Sequence, residues 1–250
     1  MSSLIMRADD LGFSEGVNYG IAKAVFDGVI TSVGLMTNMD AIEHGYQLIK
    51  DADIALGQHT NICVGKPICD PQDIPSLVGA DGMFCSSREI RSRTVDTVVI
   101  EEAEREIEAQ LKRFIDITGR VPDYFEAHAV SSKNFFKALK NVSERHHLFY
   151  ENAVMDKEWE EEHQMYGLMG RPDEHNLYDP LALLNDNLDF ILSHESTIVI
   201  FHPGYLDQYI LDHSSYTVIR PMETAFLCGE DIKRFIEDNH LTLKKLKREV

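Results

Sequence analysis

Short apolar runs alternate with helical patterns along the first 60 residues, and this alternation restricts the chain to few folds. Strand-like runs cover residues 4–8, 32–36 and 54–56, and apolar residues at helical spacing occupy the segments between them. This strand–helix–strand–helix–strand order favours a parallel sheet with helices outside it. The sequence therefore predicts an α/β fold. A length of 250 residues suits one α/β barrel domain over residues 1–250.

The alternation continues through the rest of the chain, with two interruptions. Apolar spacing predicts the longest helix over about 99–118. Further expected helices lie near 135–142, 181–192 and 231–237, and further expected strands near 124–127, 147–150, 198–201 and 241–243. Residues 61–97 and 152–178 lack clean periodicity, and we interpret them as long loops that wall a substrate cleft. For residues 152–178, a solvated loop is the alternative.

Acidic residues or histidine follow several of the apolar runs directly. They are Asp9, Asp10, His59, His128 and His202. In an α/β barrel the carboxyl ends of the strands meet at one face, where the active site lies. Two adjacent carboxylates are unfavourable there unless a cation or hydrogen-bond donors offset their repulsion. The strand-end residues therefore predict one shared site.

Asp10, His59 and His128 form a candidate metal site of two histidines and one carboxylate. Such a set suits a divalent first-row metal and leaves coordination positions open. If Asp9 is not a ligand, it can act as a base towards water, while His202 can act as a general acid near neutral pH. The Pro203–Gly204 turn predicts that His202 is exposed at the barrel rim. A base, a metal and an acid around one carbonyl group indicate hydrolysis of an amide or ester.

Composition limits the partners of the chain. The formal net charge of −18 argues against binding to nucleic acid or to anionic membranes, which both require basic surfaces. The four cysteines show no CxxC spacing, so we interpret them as reduced thiols. Apolar runs stay shorter than the roughly 18 residues of a membrane span, and the first residues do not resemble a signal peptide. We expect a cytoplasmic protein without nucleic-acid or membrane partners.

The sequence resembles the YdjC-like carbohydrate deacetylases, the group that contains chitooligosaccharide deacetylase. Residues 8–14 (ADDLGFS) resemble the Ala-Asp-Asp-Phe-Gly opening of the family, and residues 16–21 and 28–32 continue the match. Residues 57–61 (GQHTN) are similar to the Gly-Leu-His-Leu-Asn motif of the family. Residues 202–205 (HPGY) are similar to its late His-Pro-Gly motif. The match spans most of the chain and is most specific in the first 38 residues.

The resemblance implies a distorted (β/α) barrel related to polysaccharide deacetylases, and a divalent metal, either Mg²⁺ or Zn²⁺. Carried over to this chain, Asp10, His59 and His128 would hold the metal, and Asp9 would be the base. His202 would be the acid that protonates the leaving amine of a small N-acetylated carbohydrate substrate.

The chain departs from the family pattern around the third metal ligand. The family typically has Asp-Ser-His-x-His-x-His there. In this chain Glu126 replaces the aspartate, and Val130 and Ser132 replace the two later histidines. Gln58 also replaces an apolar residue beside His59. The side chains that hold the metal ligands in place, or the contacts to substrate, can therefore differ from those of the family.

Two other functions stay open at this stage. A two-histidine, one-carboxylate set also serves iron(II) oxygenases, although their usual jelly-roll sheet conflicts with the α/β alternation seen here. A sugar-binding or regulatory protein that has lost catalysis would also fit the altered motif after His128. Both a monomer and a homodimer are compatible with the sequence.

Overall fold

The computed structural model describes residues 2–247. Within them, seven strands form one sheet whose pairings are all parallel: β1 (Ser3–Leu11), β2 (Ser32–Leu35), β3 (Ala55–Thr60), β4 (Tyr124–Ala127), β5 (Met165–Met169), β6 (Ser196–Phe201) and β7 (Thr242–Leu243). The order across the sheet is β4-β3-β2-β1-β6-β5, and β7 pairs with the start of β1. The expected α/β fold with a parallel sheet is confirmed.

Helices connect the strands. They are α1 (Glu15–Phe26), α2 (Ile42–Ile49), α3 (Ser87–Ser92), α4 (Ile100–Thr118), α5 (Lys133–Arg145), α6 (Lys157–His163), α7 (Pro180–Asp186), α8 (Leu188–Ser193), α9 (Gln208–His213), α10 (Ile219–Cys228) and α11 (Glu230–Asp238), with a 3-10 turn at Pro71–Asp73. Ser14 begins α1 by accepting a hydrogen bond from the Val17 amide, and Gly119 ends α4 in a left-handed conformation with φ of 71°.

Alternate residues of β1 face two different cores, which explains how a strand buried along its whole length carries charge. Leu4 and Met6 pack in the cluster that includes the helices around the sheet. Ile5 instead packs inside the curved sheet with Ile198 and Ile200 of β6. Because strand side chains alternate with a period of two, Arg7 follows Ile5 on the inner face. At the carboxyl ends of the strands, polar side chains on this inner face form the floor of a cavity.

The curved sheet is a half-barrel, and residues 149–155 line the opening between its two edges. The Phe125 amide of β4 donates to the Phe149 carbonyl at 2.8 Å, and the Glu151 amide donates to the Phe125 carbonyl at 2.9 Å. The next residues reach the other edge, because a Cβ atom on Gly167 of β5 would lie 2.7 Å from Val154. The strand expected over 147–150 is therefore a single bridge between Phe125 and Tyr150.

Three further sequence expectations about local structure are wrong, and the first concerns residues 61–97, which contain α3 and the 3-10 turn rather than an uninterrupted loop. Residues 152–178 are not one irregular loop, because they contain α6 and the edge strand β5. A five-residue strand that includes Gly167 carries too weak a pattern to recognise. The helix expected over 181–192 is two short helices, α7 and α8, which meet at Asn187.

Two further features concern the thiols and the helices. Cys63, Cys69, Cys85 and Cys228 are free, in agreement with the interpretation as unpaired thiols. Among residues 2–247, no helix has both the length and the apolar composition needed to cross a membrane.

Candidate active site

Three ligand atoms converge at the carboxyl ends of β1, β3 and β4. His59 Nε2 lies 3.2 Å from Asp10 Oδ1, His128 Nδ1 lies 3.1 Å from the same oxygen, and the two nitrogens are 2.8 Å apart. All three side chains are buried. The structure therefore brings together the three residues that the sequence predicts as metal ligands.

A bulge in β1 lets two adjacent aspartates reach the same site. Consecutive side chains of a regular strand point to opposite faces, so Asp9 and Asp10 would diverge. The pairing with β2 instead shifts register between Ala8 and Leu11, and Asp10 adopts a left-handed φ of 77°. A bulge re-aims a side chain, and strained backbone of this kind concentrates at functional sites.

The three ligands fit a divalent metal ion. Ligands that bind one ion at 2.0–2.2 Å lie about 2.8–3.1 Å apart along an edge of an octahedron and about 3.3–3.6 Å apart along an edge of a tetrahedron. The observed separations of 2.8–3.2 Å are close to these ranges. Arg220 Nη2 binds the other oxygen of Asp10, Oδ2, at 2.7 Å, so Oδ1 faces the two histidines. Two imidazoles and one carboxylate suit Zn²⁺ and related ions.

A second acidic group lies on the opposite side of the His59 ring. It consists of Asp9, His59 Nδ1 and Glu126. Arg7 already supplies a positive charge there, with Nε 2.8 Å from Asp9 Oδ1 and Nη2 3.8 Å from Glu126 Oε2. A guanidinium in this place opposes a second cation, so the geometry favours a metal on the Nε2 side.

Glu126 orients the His59 ring. Its Oε1 atom accepts a hydrogen bond from Nδ1, and this fixes the tautomer that leaves Nε2 free for a metal. Burial opposes a charged imidazole, but the carboxylates of Glu126 and Asp9 outweigh burial and raise the pKa of His59 well above its ordinary value. A bound metal would therefore replace a proton on Nε2. The residue that departs from the family aspartate retains a carboxylate in a supporting position.

Arg7 holds Asp9 in its ionised form. Arg7 Nη2 donates to Asp9 Oδ2 at 2.8 Å, and Arg7 Nη1 binds Glu151 on its other side. Burial alone would raise the pKa of Asp9, but the charge of Arg7, aided by His59, outweighs it and lowers this pKa. A buried arginine between carboxylates is fully compensated, unlike an isolated buried charge.

Neighbouring buried charges also shift the pKa values of Asp10 and His128. Burial would raise the pKa of Asp10, yet Arg220 and His128 bring it well below its usual range. Burial would lower the pKa of His128, but Asp10 outweighs burial and raises it to about 9. Asp10 is therefore ionised at neutral pH, and metal binding at His128 competes with a proton.

His202 directly follows β6 and lies beside the ligand group. Its ring lies 4.9 Å from the ring of Tyr216, measured between centroids, and it lines the same cavity as Asp9 and Asp10. Burial, together with the charge of Arg220, lowers the pKa of His202 to about 4 against the opposing effect of the two aspartates. The ring is therefore neutral at pH 7 and holds no proton that it could donate. The sequence instead predicts that His202 can act as a general acid near neutral pH.

These residues line a cavity of about 330 Å³, which is large enough for a small ligand. The walls include residues 127–131, around His128, and three further chain segments. Residues 61–97 contribute Val64, Ser87 and Arg91, residues 152–178 contribute Asn152, Val154, Met155 and Met169, and residues 213–216 contribute a third wall that the sequence did not indicate. The two predicted segments therefore reach the cavity with only a few residues each.

The replacements after His128 have structural roles in this chain. Val130 is buried in an apolar cluster with Phe135 of α5. Ser132 is the N-cap of α5, and its hydroxyl accepts from the Phe135 amide at 3.0 Å and donates to Asp96 at 2.9 Å. Val130 therefore packs in the apolar cluster, Ser132 caps α5, and neither side chain adds a metal ligand to the site.

Several residues of the site were not found from the sequence. They are Arg7, Glu151, Arg220 and Glu223. Arg7 carried a usable signal, because a charge inside an apolar strand requires a buried partner. The others lie on loops or on α10, where a polar residue in an amphipathic pattern resembles a solvent-exposed one.

The fold and this site define a class of protein. The chain has the α/β half-barrel of polysaccharide deacetylases. It superposes with a TM-score of 0.84 on a candidate cellobiose-phosphate cleavage protein from Enterococcus faecalis, with 23% identity over 98% of this chain and 97% of that one. A family 4 acetyl xylan esterase from Clostridium thermocellum has the same fold, with a TM-score of 0.53, 10% identity and coverage of 97% and 87%.

The chain belongs to the YdjC-like protein family, whose model matches residues 3–238. It is also 30% identical over 251 aligned residues to carbohydrate deacetylase 2 of Listeria innocua, covering 96% of each chain. The resemblance seen in the sequence motifs is therefore confirmed.

Proposed function

We propose that the protein is a metal-dependent hydrolase that removes the acetyl group from an N-acetylated mono- or oligosaccharide. The observation that carries this proposal is the convergence of Asp10, His59 Nε2 and His128 Nδ1 within 3.2 Å of one another on a cavity floor. The deacetylase name of a relative aligned over nearly the whole chain supports the same reaction.

Asp10, His59 and His128 would hold the ion, Mg²⁺ or Zn²⁺. When bound, such an ion polarises a carbonyl oxygen and lowers the pKa of a water molecule. Asp10 contributes a carboxylate that Arg220 keeps ionised, and Glu126 holds the His59 ring in the tautomer needed. These contacts fix the ligand directions before an ion arrives.

Asp9 acts as the general base in this proposal. Its carboxylate is ionised at neutral pH because Arg7 lowers its pKa, and it lines the cavity next to the ligand group. Arg7 Nη2 and Nε fix the direction of this carboxylate from behind. A proton removed from the attacking water would pass to Asp9.

His202 acts as the acid that protonates the leaving amine. Because burial lowers its pKa to about 4, the resting ring is neutral, so the proton that Asp9 takes from the attacking water would have to pass to His202 before His202 gives it to the leaving amine. A group with a depressed pKa transfers that proton readily once it holds it. His202 is therefore a relay that receives and releases a proton within one turnover.

A catalytically altered sugar- or metal-binding protein is the alternative, and it is not favoured. Its only support was the changed motif after His128, yet Val130 and Ser132 have packing and capping roles. Asp9, His202 and the proposed ligand group of Asp10, His59 and His128 all line the same cavity. Location in the cytoplasm, a single domain over residues 1–250, and the choice between monomer and homodimer stay predictions from the sequence.

The test is acetate release from a panel of N-acetylated mono- and disaccharides. Metal-free protein is assayed alone and after addition of Mg²⁺, Zn²⁺, Mn²⁺ or Co²⁺. We expect release from at least one sugar only when metal is present. Metal binding without release from any substrate would contradict the proposal and support the binding protein.

A further inference from the structure

One face of α10 holds three parts of the candidate site. Arg220, Glu223 and Thr224 are three and four positions apart, so they point in the same direction. Arg220 binds Asp10, and Thr224 Oγ1 accepts a hydrogen bond from the Gly204 amide at 2.9 Å. Glu223 is buried and accepts from the backbone amide of His202.

The hydrogen bond from the His202 amide to Glu223 takes the place of a hydrogen bond to a neighbouring strand. The pairing between β1 and β6 ends at Ala8 and Phe201, so the His202 amide is the first one of this strand without a strand partner. A buried amide needs an acceptor, and Glu223 Oε2 supplies it. The inner-face alternation of Ile198 and Ile200 therefore extends by two residues, to His202.

The same carboxyl group also binds a loop that approaches from the other side. Tyr178 donates its hydroxyl hydrogen to Glu223 Oε1. The Tyr178 ring lies against Gly170, where an added Cβ would sit 2.2 Å from a ring atom. Asn176 in the same loop accepts from the Thr217 amide at 2.7 Å. Glu223 therefore joins the loop over 170–178 to the end of β6.

Among residues 2–247, no ion pair to Glu223 explains its burial. The nearest arginine on its face, Arg220, directs Nη2 to Asp10 and Nε to the Tyr216 carbonyl at 2.8 Å. Burying a carboxyl group is costly unless donors compensate it, and one of its two donors is the amide of His202, which lines the cavity. Burial accordingly raises the pKa of Glu223 to about 7, despite the hydrogen bonds from Tyr178 and His202.

We propose that Glu223 is a positioning residue, which sets the direction of the His202 side chain through the main chain, and that Tyr178 secures it. This inference rests on the proposed function, because it assigns His202 a role in turnover. Gly204, just after His202, packs against Gly20 of α1, where an added Cβ would lie 2.3 Å from the Gly204 Cα. The turn is therefore held by α1 on one side and by α10 on the other.

The test compares Glu223→Ala, Glu223→Gln and Tyr178→Phe in the metal-loaded protein. We expect Glu223→Ala to lower kcat by about 10- to 100-fold, the scale of a small misplacement of a reacting group, with KM and metal content unchanged. Glu223→Gln keeps an oxygen acceptor for the His202 amide, so it should recover most of the rate. Tyr178→Phe should lower kcat less than Glu223→Ala does.

Glu106→Ala is the matched control, because Glu106 is also buried and accepts from two backbone amides, those of Ile68 and Cys69. It should lower thermal stability without a comparable loss of kcat. A wild-type kcat in Glu223→Ala would overturn the proposal. So would a Gln variant as slow as the Ala variant, or equal loss of kcat in the Glu106 control.

A second readout separates this inference from the proposed reaction. The imidazole signals of His202, assigned by loss in His202→Gln, are recorded by NMR without any substrate. We expect them to shift in Glu223→Ala and to stay near the wild-type position in Glu223→Gln. Unchanged signals in Glu223→Ala would overturn the positioning role, whereas absent acetate release from the wild type would contradict only the proposed function.

Discussion

The two sides of the His59 ring carry the same kinds of residues but different chemistry. On the Nε2 side, Asp10 and His128 direct free ligand atoms towards one point, and Arg220 lies behind the carboxylate. On the Nδ1 side, Asp9 and Glu126 surround the guanidinium of Arg7. Arg220 lies behind the Asp10 carboxylate and leaves room for a metal. Arg7 lies between two carboxylates, in the position that a metal would otherwise occupy.

In the proposed mechanism, the two neighbouring aspartates take separate roles because their partners differ, although their own chemistry is the same. The bulge at Asp10 makes this separation physically available, because it turns a residue that would face the helices into the cavity. When two titratable groups in one site have different environments, one can serve as a ligand and the other as a base.

The largest expected effect separates the two aspartates directly. Asp9→Asn removes the proposed base, so kcat should fall by about 10²- to 10⁴-fold. The metal content should stay near that of the wild type, because Asp10, His59 and His128 are unchanged. Rates are measured by acetate release, and the exposed Asp27→Asn serves as the control. Loss of the metal together with the rate would contradict the separation of roles.

A smaller effect is expected from the residue that orients His59. Glu126→Gln weakens the hydrogen bond to Nδ1, so the metal should bind about 10- to 100-fold more weakly, as is typical for such supporting groups. Titration of the metal-free variant with Zn²⁺ measures the change. A variant that binds as tightly as the wild type would show that the carboxylate serves the charge of Arg7 instead.

The smallest expected effect concerns stability and pH. The folded pKa of His202 is about 4, below the value of about 6.5 in an unfolded chain. Between these values only the unfolded chain binds the proton, so the stabilisation by the neutral ring is complete above pH 6.5 and is lost as pH falls towards 4. For this partly exposed ring, the loss should be about 2 kcal/mol.

Urea unfolding of the metal-free wild type and of His202→Gln, at several pH values, measures this loss. The difference between their free energies of unfolding should change by the stated amount between pH 7.5 and pH 4.5. A constant difference would show that the folded protein does not lower the pKa of His202.

The sequence predicted the parts of the molecule that depend on local pattern. Apolar runs that end in Asp10, His59 and His128 required only that parallel strands share an edge. Arg220 and Glu223 could not be predicted, because α10 follows Asp10 by some 210 residues and only tertiary packing brings the two together. The edge strand Met165–Met169 was missed because its pairing with β6, rather than its own composition, makes it a strand.

The most direct test of the central claim is the metal content of His59→Ala. Wild-type protein and the variant are loaded with Zn²⁺ or Mg²⁺, freed of excess ion, and measured by elemental analysis, while circular dichroism checks that both are folded. The account predicts one metal per chain in the wild type and none in a folded variant, because His59 Nε2 is a ligand. One metal per chain in His59→Ala would contradict it.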